Sequence, residues 1–172
     1  DYNNVLVKLM QQHSAPAVRS AMLTALHDLD YDQIETAIKR GMEDKDATVR
    51  TAAVGLLHEL DITKENLPGI VEPIFRTGSI QEQQQLLKVL GEMPVEKSES
   101  VLSGLIDQLS AKKLSPAITL DLIEAVDSTH SEKLITKLAP LHPAGTTTEG
   151  FMETLYGGDA RRGRRYFMTN ST

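Results

Sequence analysis

The stretch Pro16–Leu29 returns 31 residues later as Ala47–Leu60, and that return constrains the fold more than any other feature of the chain. Val18 aligns with Val49, Arg19 with Arg50 and Ala21 with Ala52. Leu26 aligns with Leu57, His27 with His58 and Leu29 with Leu60. Within each copy the apolar residues recur at three- and four-residue intervals, the spacing of one buried helical face. Alanines at such positions let neighbouring helices approach closely, and leucines fill the space between layers. A self-similar unit of this length cannot bury its apolar face alone, so it must stack against further copies of itself.

Two weaker copies follow. Gln83–Met93 lies about 33 residues beyond the second copy, and Ser115–Val126 keeps the apolar face while losing the Val-Arg pair. Each copy is preceded by another amphipathic segment, over Asn3–Gln12, Asp32–Met42, Leu67–Arg76 and Ser100–Ser110, and Ser131–Leu138 begins a fifth unit. Gly41, Pro68, Gly78, Pro94, Pro116 and Pro140 are expected at the turns. Pro16 and Pro116 suit first-turn positions, where a missing N–H costs no hydrogen bond. No segment alternates with the two-residue period of a strand. The pattern predicts an all-α chain, a right-handed α-α superhelix of four to five helix pairs over residues 1–139.

The Val-Arg-x-Ala-Ala sequence after Asp44-Lys45-Asp46 resembles short HEAT-like repeats of the armadillo type. The Trp and Gly-Tyr signature of tetratricopeptide repeats and the Thr-Pro-Leu-His of ankyrin repeats are both missing. This resemblance runs from about Asn3 to Leu138 and implies a fold, not a chemistry.

Charge and composition narrow the function. The formal net charge is −6, and residues 157–172 hold four arginines against one aspartate, which leaves −9 on the remainder. An acidic body without Trp and with 4% aromatic residues suits neither a phosphate backbone nor base stacking, so no nucleic-acid partner is expected. No apolar run approaches the length of a membrane span. The chain has no cysteine, which removes disulfides, thiolate metal sites and covalent haem attachment within it.

Arg19 and Arg50 are the best-placed charged residues. Their guanidinium groups are expected to bridge repeats through acids such as Asp44 or Asp46, or to bind helix-end carbonyls. His27 and His58 occupy equivalent positions beside Asp28 and Glu59, and a metal or pH-sensing role is one reading of that pair. Repetition alone also explains it, because neither histidine has a second ligand four residues on. His13, His130 and His142 sit at helix ends or loops. The carboxylates spread over solvated faces without selecting an acid/base pair, and Ser100, Ser103 and Ser110 lack a nucleophile elbow. The glutamine run Gln81–Gln85 reads as a solvated helix start. The chain itself is therefore expected to be non-catalytic and to carry no cofactor or metal.

Residues 140–150, with Pro140, Pro143, Gly145 and Thr146–Thr148, read as a linker, and Phe151–Tyr156 as a short tether helix. Asp159 then caps the start of another helix that includes Tyr166 and Phe167. Gly157, Gly158, Asp159, Ala160, Gly163 and Phe167 resemble the lead-in to the c-type cytochrome domain of a family of large bacterial secreted proteins. Those proteins join a membrane-bound-dehydrogenase-like propeller, a helical-repeat domain and a C-terminal haem domain. The resemblance implies that 151–172 contains the start of a truncated cytochrome c-like domain, with covalent haem c bound downstream of Thr172 in the parent. It also implies an extracytoplasmic location, periplasmic or secreted, and a parent that is an oxidoreductase. On that reading the chain is a scaffold or spacer whose partners are the parent's other domains. The alternative is a free-standing HEAT-like adaptor that binds a protein or peptide on its concave face.

Overall fold

The computed structural model describes residues 2–141, and among them the structure is all-α. The expected linker beyond Leu141, the tether helix over 151–156 and the junction residues Gly157, Gly158, Asp159, Gly163 and Phe167 lie outside the described residues. The helices are α1 (Tyr2–Gln12), α2 (Pro16–Asp28), α3 (Ile34–Met42), α4 (Ala47–Gly55) and α5 (Leu67–Thr77). They continue as α6 (Ile80–Glu92), α7 (Val95–Ser110), α8 (Thr119–Thr129) and α9 (Glu132–Leu138). Short 3-10 turns occupy Leu57–Glu59 and Pro116–Ile118. No described helix is long and apolar enough to cross a membrane.

Local chemistry explains most of the boundaries. Pro16 starts α2 without losing a hydrogen bond, and the Asp46 carboxylate caps α4 by accepting the Thr48 N–H at 2.9 Å. Ser79 and Glu82 form a reciprocal capping box at the start of α6. The turn after α2 closes through Asp30 in the left-handed region (φ 49°), which aspartate tolerates better than most residues. Pro94 sits at its expected turn as the N-cap residue of α7, whereas two other expected breakers fall within helices. Pro68 lies in the first turn of α5. Gly41 lies inside α3, where a Cβ would sit 2.9 Å from Leu23 and 3.0 Å from Ala53; its smallness permits close packing there. The second copy is also shorter than its periodicity suggests, because α4 ends at Gly55 and the Leu57–Glu59 turn completes it.

Helices α2, α4, α6 and α8 pack against one another in chain order, and α5, α7 and α9 do likewise. The two helices of each pair (α1 and α2, α3 and α4, α5 and α6, α7 and α8) also touch, so each second helix is held by its own partner and by its counterparts in adjacent copies. Leu23, Leu26 and Ile38 belong to an N-terminal core cluster with Met10, Ala37 and Ala53. A larger cluster runs from Val54 and Leu57 through Leu86, Leu90 and Leu102 to Leu134 and Leu138. Met42 and Leu60 pack against both clusters, so the apolar interior continues from the first copies to the last. Removing such leucines from water stabilises the fold by roughly 1.5–3 kcal/mol each.

Candidate functional site

The repeat residues divide into core and clamp. Leu26, Val49 and Leu57 are buried, whereas Val18 and Ala52 are half-buried and Ala21 is exposed. Within the second copy the buried alanine is Ala53, which packs into the N-terminal cluster. Arg19 is only 3% exposed. Burying a guanidinium is costly unless its donors are satisfied. Its Nε and Nη2 bind the two carboxylate oxygens of Asp44, each at 2.8 Å, and its Nη1 donates to the carbonyls of His13 (2.8 Å) and Ser14 (3.1 Å).

Asp44 works in two directions. Its carboxylate takes the fork of Arg19 and the Asp46 N–H at 2.8 Å, while its carbonyl accepts Nη1 of Arg50 at 2.8 Å. Arg50 then makes its own fork with Glu82, at 2.8 and 3.0 Å. The second junction therefore uses an acid from the third copy and not from the Asp44–Asp46 loop. Glu82 also accepts the Ser79 N–H at 2.9 Å and is 4% exposed. Between the third and fourth copies an amide donor replaces the arginine, and Nε2 of Gln84 donates to the Asp121 carboxylate (3.1 Å) and to the Ala117 carbonyl (3.4 Å). Gln83, aligned with the arginines relative to the helix start, donates to the carbonyls of Phe75 and Gly78. On the other row, Lys137 of α9 reaches Ser103 and Asp107 of α7.

These contacts shift the ionisation of the pairs. The Arg19 bond holds the Asp44 carboxyl below its ordinary range against the effect of burial, helped by the Asp46 N–H. Burial pushes Glu82 up, but the bonds from Arg50 and Ser79 together outweigh it and leave its pKa lowered. Both arginines are held more firmly protonated, mainly by the carboxylate each one grips. Bidentate arginine–carboxylate pairs fix angle as well as distance, so these pairs set the relative orientation of successive helix pairs.

A second cluster gathers at the ends of the first two copies. His27 in the last turn of α2 contacts Asp28 through Nδ1 (3.1 Å) and Glu59 through Nε2 (3.2 Å). His58 approaches the same Glu59 oxygen through Nε2 at 3.1 Å. The two imidazole rings meet edge to face, with centroids 5.9 Å apart. The Asp28 bond raises the pKa of His27 against partial desolvation, and Glu59 adds to it. His13 instead accepts the Ala15 N–H through Nδ1, and His130 faces the Ser128 carbonyl, both local contacts.

The third feature is an open, polar groove of about 550 Å³ across α4, α6 and α8. Thr51, Gln81, Gln84, Gln85, Lys88, Glu92, Asp121 and Glu124 are among its lining residues. Much of the glutamine run thus lines a groove between repeats, and Gln84 also ties two of them together. The chain matches no protein-family model, no curated protein and no solved structure.

Proposed function

We propose that this chain is a non-catalytic helical-repeat scaffold that holds other protein segments in a fixed spatial relation. The observation that carries this reading is the polar cross-link at each junction between second helices: Arg19–Asp44, Arg50–Glu82 and Gln84–Asp121. A chain that needed only a folded core could leave these junctions apolar, since replacing buried ion pairs by packed apolar residues is often neutral or stabilising. Directional links at successive junctions suit a body whose task is to keep its shape. The in-order packing of α2, α4, α6 and α8 supports the finer architecture proposed here, a right-handed HEAT-like superhelix of four to five helix pairs.

The scaffold is assigned to a secreted, extracytoplasmic bacterial protein with a dehydrogenase-like propeller upstream and a c-type cytochrome downstream. Gly157–Phe167 supports that assignment through its resemblance to the cytochrome lead-in. Haem would then be bound by the parent beyond Thr172, because this chain offers no thiol to attach it. The gene tests the parentage: Cys-x-x-Cys-His within roughly twenty codons after Thr172 supports it, and its absence there overturns it.

The groove across α4, α6 and α8 favours a second reading, an adaptor that binds a protein or peptide segment on that face. Its mixed charge and glutamine amides suit an extended polar peptide. Lys88→Glu and Glu124→Lys should abolish capture of such a partner, and a partner still bound by both variants rules that face out.

A further inference from the structure

We propose that His27, His58 and Glu59 form a three-ligand site for a zinc-class divalent metal ion, fastening the end of the first helix pair to the end of the second. The ligand atoms of these residues all lie within 4.8 Å of one another. In a tetrahedral site with metal–ligand bonds of about 2.0–2.1 Å, adjacent ligand atoms stand about 3.3–3.4 Å apart. His27 Nε2 to Glu59 Oε1 is 3.2 Å and His58 Nε2 to Glu59 Oε1 is 3.1 Å, so two edges of that tetrahedron already have nearly the right length. The third edge, between the imidazoles, is no longer than 4.8 Å and would shorten on rotation of the His58 ring, whose side chain is 54% exposed.

The donor set is chemically apt. Two imidazoles and one carboxylate form a common zinc ligand set, and three protein ligands leave a fourth position for water or another donor. Asp28 supplies the outer contact that such sites use. Its carboxylate lies 3.1 Å from Nδ1 of His27 and so holds the ring with Nε2 toward Glu59, the orientation that a metal ligand through Nε2 needs. His27 Nε2 and Glu59 Oε1 lie 3.2 Å apart, and a metal ion would take the place of the proton that otherwise joins them while also recruiting His58.

The position gives the site a consequence. His27 closes α2, while His58 and Glu59 lie in the 3-10 turn after α4, so one ion joins consecutive repeats. It would do so at the opposite end of α2 from the Arg19–Asp44 pair, which leaves that junction pinned at two separated points.

The test uses the full, tag-free chain stripped with a chelator. Zn²⁺ is titrated by calorimetry, and Co²⁺ serves as a visible reporter. One equivalent should bind, the cobalt form should show the d–d absorption of a four- or five-coordinate ion, and zinc should raise the melting temperature through mass action. His27→Gln, His58→Gln and Glu59→Gln should each weaken zinc binding by at least about tenfold and lose the cobalt bands. Asp28→Ala should weaken it about 10- to 100-fold while keeping the one-to-one stoichiometry. The ligand side chains are all partly open to solvent, so circular dichroism of these variants should match the unaltered chain. A His13→Ala/His130→Ala/His142→Ala chain should bind as the unaltered one does. Absence of binding at millimolar zinc overturns the proposal. So does binding that survives in His27→Gln/His58→Gln, or that disappears in the triple variant.

Discussion

Removing the Glu82 carboxylate should loosen the junction between the second and third helix pairs. Glu82→Ala deletes both bonds of the Arg50 fork and the acceptor of the Ser79 N–H. Breaking a buried pair from one side costs about 3–5 kcal/mol when the remaining charge is fully stranded. Arg50 keeps the Asp44 carbonyl, and its side chain is 27% exposed, so water recovers part of that loss. A cost of about 2–3 kcal/mol follows, to which the lost Ser79 bond adds about 0.5–1 kcal/mol. With a urea slope of about 2 kcal/mol/M, the midpoint should fall by more than about 1 M. Arg50→Ala should cost a similar amount, because it strands a carboxylate that is nearly inaccessible to solvent. The double variant should cost much less than the sum, giving a coupling of about 2 kcal/mol. Paired urea melts followed by far-ultraviolet circular dichroism would measure all four corners of the cycle. Single costs below about 0.5 kcal/mol, or costs that simply add, would refute the clamp.

Other perturbations probe separate parts of the account. Since Asp44 and Glu82 have lowered pKa values in the fold, their contribution is complete above the unfolded carboxylate range near pH ~4 and fades as pH falls through the folded values. The melting-temperature gap between the unaltered chain and Glu82→Gln should therefore be constant from about pH 7 to 5 and shrink in stronger acid; a gap that persists unchanged to about pH 2 contradicts this. Gly91→Ala would place a Cβ 2.8 Å from Ala125 Cα and 2.9 Å from its carbonyl oxygen, forcing α6 from α8. It should cost about 1–2 kcal/mol in a denaturant melt despite the better helix propensity of alanine, whereas Gly104→Ala, with open space around it, should stabilise by about 0.5–1 kcal/mol. Ser98 is buried in α7 with no partner for its hydroxyl, so Ser98→Ala should raise the melting temperature, and a fall would mean that the hydroxyl is satisfied.

The helix pairs were legible because a buried helical face leaves a three- and four-residue rhythm that survives sequence drift. Even Gln83–Met93 and Ser115–Val126, which lack the Val-Arg pair, could be placed by it. The Arg19–Asp44 pair was legible for a similar reason, since the acid lies in the loop just before the next copy. Glu82 was not singled out as the partner of Arg50. Its copy has Glu-Gln where the first two have Val-Arg, so alignment by residue type hides its place. Ser79-x-x-Glu82 was nonetheless a readable capping-box signal that fixed both the start of α6 and the carboxylate's position. The His27–His58–Glu59 cluster shows the opposite case. The equivalence of the histidines was plain at an offset of 31 residues, but continuous helical spacing through Leu60 gave no reason to bring Glu59 between them. The end of α4 at Gly55 and the 3-10 turn after it supply that reason.

The central claim is that the helix pairs form one stiff body, and a distance distribution across the stack tests it most directly. The chain has no native cysteine, so spin labels at Thr24→Cys in α2 and Asp127→Cys in α8 report only on those two exposed positions. Pulsed dipolar spectroscopy should give a single narrow distance distribution that broadens when Arg50→Ala or Glu82→Ala is added. A broad or divided distribution in the chain with its clamps intact would contradict the scaffold account.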